Sequence, residues 1–352
     1  MIQGVMGILT QDILVTCILM GLIGIVGLVG NALMLRALLK YKNLRTDFYI
    51  VFGCLSVVDS CFLLLSVPVH IMDMLQATDI LSDFWCKSSF YIMNVCSFIS
   101  AFLVVVLTIL RSILLTNRNT IAHPPARYLF IISAAIYIIA FIASIPFIFM
   151  YSYFNYKDDS GADHSYCKIN DEDIVQEAWL VSSFSAFIPI LLATVIYFIT
   201  YIISLRYFSD SYSRREIEKS RLVSSIFVAF LICQLPYRIA VIYDSYLVDF
   251  EETARMYTVK NYLLCIVMAD RAIKPVLYSK FASDLADAFD EVINCTYCSR
   301  PYNVVPKKLA RLASYSEPQP SERTQSTSSS NSATSQTVLL NKPNDNFEVD
   351  IC

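Results

Sequence analysis

The chain has 352 residues, of which 56% are apolar and only 16% charged, where a soluble domain carries about 25% charged residues. No water-soluble core hides that much apolar surface, because even a large domain leaves much of its area exposed. Lipid is therefore the expected solvent for much of the chain, and the net charge of −3 is uninformative because the charges are segregated along the sequence.

The start, Met1 to Thr16, has no basic n-region and no small-residue cleavage site, so the first apolar run is expected to be retained. A helix crosses a bilayer with about 20 apolar residues. Seven segments meet that length: 13–39, 48–75, 84–115, 128–150, 179–207, 221–247 and 257–278. The expected fold is an all-α, seven-transmembrane bundle over 13–278, preceded by a short extracellular N-terminus, 1–12. The first connection holds Lys40, Lys42 and Arg45, and the third holds Arg118 with Arg127 just beyond. The fifth holds Arg206, Arg214, Arg215, Lys219 and Arg221. The connection over 151–177 is acidic instead, as is the one near Asp249, Glu251 and Glu252. Positive charge stays on the cytoplasmic side, so the N-terminus is expected outside and the C-terminus in the cytoplasm of a plasma-membrane protein.

Beyond Tyr278, residues 279–292 carry Phe281, Leu285, Ala288 and Phe289 at helical spacing beside Asp284, Asp287 and Asp290. That pattern predicts an eighth, amphipathic helix lying in the interface plane. Residues 293–352 are polar, and 314–337 are nearly all Ser, Thr, Gln, Asn and Pro, a composition expected to stay disordered. Of eleven cysteines most fall in apolar runs, where a free thiol acts as a small hydrophobe. Cys295 and Cys298 form one CxxC, but with three His in the chain a zinc site is not expected. No P-loop, kinase motif or catalytic triad is present, so no enzyme activity, cofactor or nucleic-acid partner is expected.

Sparse polar residues and prolines are set at particular places in these apolar runs. They are Gly30-Asn31 in helix one and Leu55-Ser56-Val57-Val58-Asp59 in helix two. Helix three begins at Trp85-Cys86 and carries Arg111 twenty-five residues after Cys86. Helix five has Pro189 with Tyr197 eight residues on, helix six has Cys233-Gln234-Leu235-Pro236-Tyr237, and helix seven has Pro275-Val276-Leu277-Tyr278. In joint order and spacing, over about 13–292, the chain resembles the rhodopsin family (class A) of G-protein-coupled receptors. Pro68, the Pro-Tyr of helix six and the acidic second outer loop look most like chemokine receptors. There are departures. Leu110 stands where the family has an acid before the helix-three Arg, Ser112 follows where Tyr is usual, Gln234 replaces a Trp, and Lys274 precedes Pro275 where Asn or Asp is usual. Leu264 takes the place of the chemokine receptors' helix-seven glutamate. Such erosion resembles gammaherpesvirus-encoded orphan receptors, related to the Epstein–Barr virus one.

The resemblance implies a Cys86–Cys167 disulfide on the oxidising outer side. It implies that Arg111 meets a heterotrimeric G protein, most naturally of the inhibitory class. Leu110 removes one partner that would restrain Arg111, Glu216 is a candidate second partner, and the plainer reading of Arg111 is a snorkelling cation. Pro189, Pro236 and Pro275 each remove a backbone hydrogen bond and suit a bundle that opens by helix swing, with Tyr197 and Tyr278 steadying the open state. Asn31, Asp59 and Ser100 match positions that surround a sodium ion in the family. Lys274 is expected to bring its own charge to Asp59, with Asp270 a rival partner one turn away. The Ser/Thr-rich tail suggests receptor kinases and arrestin as partners, Cys295 and Cys298 suggest palmitoylation, and the acidic outer face suggests a basic ligand. Two other functions compete. One is a viral immune-evasion adaptor that drives endocytosis of host surface proteins, for which Tyr302-Asn303-Val304-Val305 loosely fits a sorting signal. The other is a transporter or channel, for which Asp59, Asp270, Arg271 and Lys274 are the intramembrane charges.

Overall fold

The computed structural model describes residues 2–41, 44, 47–75, 83–116, 126–157, 163–206, 214–247 and 250–293; within these, the side chains of 2–11, 47, 116, 126, 153–157, 163–168, 171, 204–206, 214–216 and 250–254 are not described. Cys295, Cys298 and the sequence after 293 lie outside the described residues.

The first apolar run is α1 (Ile2–Lys40), which continues through residues expected to be a separate N-terminus. It is followed by α2 (Asp47–Met74) and α3 (Asp83–Thr116). The fourth span is broken into α4 (Ala126–Ala143) and α5 (Ile145–Met150), because Pro146 cannot continue a helix but fits the first turn of a new one. The outer loop is an antiparallel hairpin, β1 (Tyr151–Lys157) and β2 (Asp163–Ile169), in which Tyr153 faces Cys167. The fifth span comprises α6 (Ile174–Ser182), a π-turn over Ser183–Phe187, and α7 (Ile188–Arg206). In that turn the Ile188 N–H reaches back five residues to the Ser183 carbonyl. Pro189, immediately beyond, has no N–H to continue the regular ladder.

The sixth span is α8 (Arg214–Asp244), the seventh α9 (Phe250–Phe281), and the interfacial helix α10 (Ser283–Ile293). Among the described residues, six helices are apolar enough to cross a membrane on length and composition alone. The seventh, α9, falls short because it carries Lys260, Asp270, Arg271 and Lys274. Its packing supplies the reason it still spans: Asp270, Arg271 and Lys274 are buried, while Val259, Ile266, Ile273 and Val276 are exposed. Intramembrane charge faces the bundle interior and apolar side chains face lipid.

The third helix is the hub. It packs against α2, α4, α7 and α8, and its inward residues Phe98, Ile99, Leu103, Val104 and Leu107 are almost fully buried. On the other side α1 packs against α2 and α9. Small residues allow the close approach: a Cβ at Gly30 would come within 2.8 Å of the Pro275 ring. The interfacial helix buries Leu285, Ala288 and Phe289, and Glu291 on it accepts a hydrogen bond from Tyr41 at the end of α1 at 2.9 Å.

Candidate functional site

Three polar levels run down the axis of the bundle. In the outer half, Phe62 and His70 of α2, Phe90 and Met93 of α3, Arg238 of α8 and Lys260 of α9 help enclose a cavity of about 270 Å³. Tyr151, at the root of the hairpin, stacks on Phe90 at 4.2 Å and donates to Glu177 Oε1 at 3.1 Å. Burial first, and then the adjacent Glu177 carboxylate, push the Tyr151 phenol well above its ordinary range, so it remains a donor. Lys260 forms an ion pair with Asp244 across the outer ends of α9 and α8. Cys86 at the top of α3 is disulfide-bonded. Cys167, the partner implied by the resemblance, is on β2, but its side chain lies outside the described residues.

The middle level is a buried charge cluster. Asp59 Oδ1 is 2.6 Å from Arg271 Nη1, and Asp59 Oδ2 is 2.9 Å from Lys274 Nζ. Lys274 Nζ also lies 3.3 Å from Asp270 Oδ2 and donates to Ser100 Oγ at 3.3 Å, while Ser100 donates to Asp59 Oδ1 at 3.3 Å. All four charged side chains are at most 1% exposed. Two acids face two bases, so the cluster is neutral as a whole, which makes burial of four charges tolerable. The Arg271 guanidinium also sits 4.5 Å from the centre of the Phe62 ring, the floor of the outer cavity. Asn31 donates to the carbonyls of Gly27 and Arg271 at 2.9 and 3.2 Å, so it ties α1 to the backbone of α9. A sodium ion does not fit this donor set. Both Asp59 oxygens already face cationic side chains, and a third positive charge has no counterweight among the described residues.

The inner level surrounds Arg111. Its Nε donates to Ser220 Oγ of α8 at 3.1 Å, and its guanidinium lies 4.4 Å from the centre of the Tyr197 ring. Tyr197 stacks on Phe227 at 5.0 Å and donates to Ser224 Oγ at 3.3 Å. Ser112 and Thr200 share a hydrogen bond of 2.6 Å between α3 and α7. Ser283 of α10 donates to Glu218 Oε2 of α8 at 2.9 Å. Leu110 is buried at 3% exposure, and among the described residues no carboxylate pairs with Arg111. The Glu216 side chain lies outside the described residues. Tyr278 is fully buried and stacks on Phe52 of α2 at 4.8 Å, so the two inner tyrosines, Tyr197 and Tyr278, sit against different helices. Pro236 and Pro275 lie inside α8 and α9.

The geometry brings together Asp59, Ser100, Asp270 and Lys274, and it adds Arg271, which reading the sequence had left among general intramembrane charges. The i,i+3 spacing of Arg271 and Lys274 places both on one helical face and was the available signal. Ser220, Ser224, Phe62 and Glu177 were missed because nothing local marks them. Arg238 was missed although it directly follows Pro236-Tyr237 in an apolar span, where any ionisable residue is suspect.

In comparison with known proteins, residues 30–278 match the model of the 7 transmembrane receptor (rhodopsin family). The allatostatin-A receptor of Bombyx mori is 27% identical over 310 residues, 81% of this chain and 80% of the relative. The chemokine XC receptor 1 of Mus musculus is 25% identical over 290 residues, 80% of this chain and 84% of the relative. The atypical chemokine receptor 3 of Homo sapiens is 23% identical over 269 residues, 72% of each chain.

Proposed function

The chain belongs to the rhodopsin family of seven-transmembrane receptors, and from that premise we propose that it signals without a ligand, through a heterotrimeric G protein of the inhibitory class. Membership makes it a chemokine-receptor-like, multi-pass membrane receptor that couples to G protein and carries out no enzymatic reaction. The finer reading rests on one observation, the way Arg111 is held. Its described restraints are a serine hydroxyl and an aromatic face, with Leu110 beside it in place of an acid.

A hydrogen bond in which one partner is charged contributes about 1.5–3 kcal/mol, and a neutral one about 1 kcal/mol. The Tyr197–Ser224 and Arg111–Ser220 bonds therefore hold the inner end of α8 with only a few kcal/mol. A closed state favoured by that little leaves an open minority that a G protein can capture. With the basic loops in the cytoplasm, the captured face is the one that carries Arg111. The Ser/Thr-rich tail would then take receptor kinases and arrestin.

The test is G-protein dissociation in cells expressing the chain without added ligand, compared across G-protein classes and with Arg111→Ala at matched surface level. The expected result is basal activation of the inhibitory class that Arg111→Ala abolishes. Basal activation no higher than in untransfected cells would overturn the reading.

A further inference from the structure

Arg238 is only 7% exposed, lines the outer cavity, and its Nε has no hydrogen-bond partner. Among the described residues no carboxylate forms an ion pair with it. Glu177 acts on Arg238 electrostatically but forms no ion pair with it, and the other acids nearby are engaged elsewhere. Glu177 accepts from Tyr151, Asp244 pairs with Lys260, and Asp59 and Asp270 belong to the cluster below. Asp73, the remaining acid of the cavity wall, is exposed. The guanidinium carbon lies 5.2 Å from the centre of the Tyr237 ring. A buried cation with no carboxylate paired to it is costly, and an intramembrane charge in that condition points to a ligand path.

The rest of the wall limits what the counter-ion can be. Phe62, Phe90, Met93, Val181, Leu264 and Val267 make much of it apolar. A cavity of 270 Å³ compares with the roughly 150 Å³ that holds a benzene molecule, so the occupant is small. One guanidinium presents a fork that matches a carboxylate bidentately. A doubly charged phosphate would bring a second negative charge among Glu177 and Asp73 with no further free cation, since Lys260 is already paired.

We infer that the outer cavity binds a small amphipathic carboxylate, its anion on Arg238 and its apolar body against Phe62. Phe62 is also the face on which Arg271 rests, so the occupant touches the charge cluster through one ring. The acidic outer loop suggested a basic ligand; the cavity beneath it selects the opposite sign.

The probe is phenylbutyrate, with phenylbutyramide as its neutral isostere and inorganic phosphate as a third arm. Binding to the purified full chain in lipid nanodiscs is read by saturation-transfer NMR, with empty nanodiscs subtracted. The expected result is saturable binding of phenylbutyrate that weakens at least about tenfold, or 1.4 kcal/mol, for the amide and in Arg238→Gln. Arg238→Lys should recover part of the loss. Equal affinity for acid and amide overturns the inference, as does unchanged binding in Arg238→Gln, competition by inorganic phosphate, or no saturable binding at all. Should Arg238→Gln fail to fold, the acid-against-amide comparison on the unmodified chain still decides. Because the readout is binding, its failure leaves ligand-independent signalling untouched.

Discussion

Single side chains set the energetics of two levels of the bundle. Asp59 contacts both Arg271 and Lys274 and, with Asp270, balances their charge. Removing it leaves two buried cations facing Asp270 alone, and breaking a buried pair in this way costs about 3–5 kcal/mol. Asp59→Asn should therefore lose most surface expression and thermal stability. A straight charge swap would place an ammonium at position 59 beside Arg271, so the informative double variant is Asp59→Asn with Lys274→Met, which restores neutrality. It should recover a substantial part of the loss, measured by surface labelling and by melting of the purified receptor; additive losses would show that no pair exists. At the inner level, Leu110 and Ser220 should act in opposite directions. Leu110→Asp supplies a carboxylate next to Arg111 and should lower basal signalling by roughly 5- to 150-fold, the range of a 1–3 kcal/mol shift. Ser220→Ala removes the charge-assisted hydrogen bond at 3.1 Å and should raise basal signalling by about tenfold or more, since about 1.5 kcal/mol is a factor of about 10. Basal G-protein activation at matched surface level checks both.

Helices meet where their sequences permit it, and α1 shows this within one element. Asn31 can reach the backbone of α9 only because its neighbour Gly30 lets the Pro275 ring approach, whereas a Cβ at Gly21 would meet nothing within 4 Å. Gly30→Val should push α9 away and sharply reduce surface expression, while Gly21→Val should be silent; flow cytometry of the tagged receptor distinguishes them. The hairpin β1–β2 is the other element with a clear dependence. It is attached to the bundle at Tyr151 through Phe90 and Glu177, and the disulfide at Cys86 gives the top of α3 a covalent link. Cys86→Ser should impair folding and surface delivery, and normal surface levels together with unchanged antibody recognition of the outer loop would refute that. The elements themselves were largely legible. Seven apolar runs were visible because lipid demands about 20 apolar residues for each crossing. The break at Ser144–Pro146, the π-turn before Pro189 and the hairpin were not anticipated, since each depends on how backbone groups near a proline or a loop find partners.

Across the whole molecule α8 serves the outer and inner levels and α9 the middle one. Arg238 hangs from α8 above the cluster, Arg271 and Lys274 project from α9 into it, and Ser220 and Ser224 of α8 close the inner end. An outward swing of α8 breaks the inner hydrogen bonds without having to separate any described pair of the buried cluster, all of which bridges α2, α3 and α9. The cluster thus behaves as a permanent strut where the resemblance places an exchangeable ion. Basal signalling should accordingly be the same in sodium and in an equal concentration of choline, read as nucleotide exchange in washed membranes. Suppression by sodium would contradict a strut made of the chain's own cations.

By itself the sequence determined the crossings, the interfacial helix and the positions of Arg111, Asp59 and Lys274 along their helices. Those features follow from local rules, namely apolar length and helical periodicity. Only the tertiary structure decided which partners these residues reach. Asp59 and Arg271 are separated by 212 residues, and Arg111 and Ser220 by 109. Each contact depends on the rotation of two helices about their axes, which the packing of the whole bundle sets. Lys274 was expected to bring one charge to Asp59; the fold brings Arg271 as well, and it leaves Arg238 in the cavity above with no ion-paired carboxylate among the described residues.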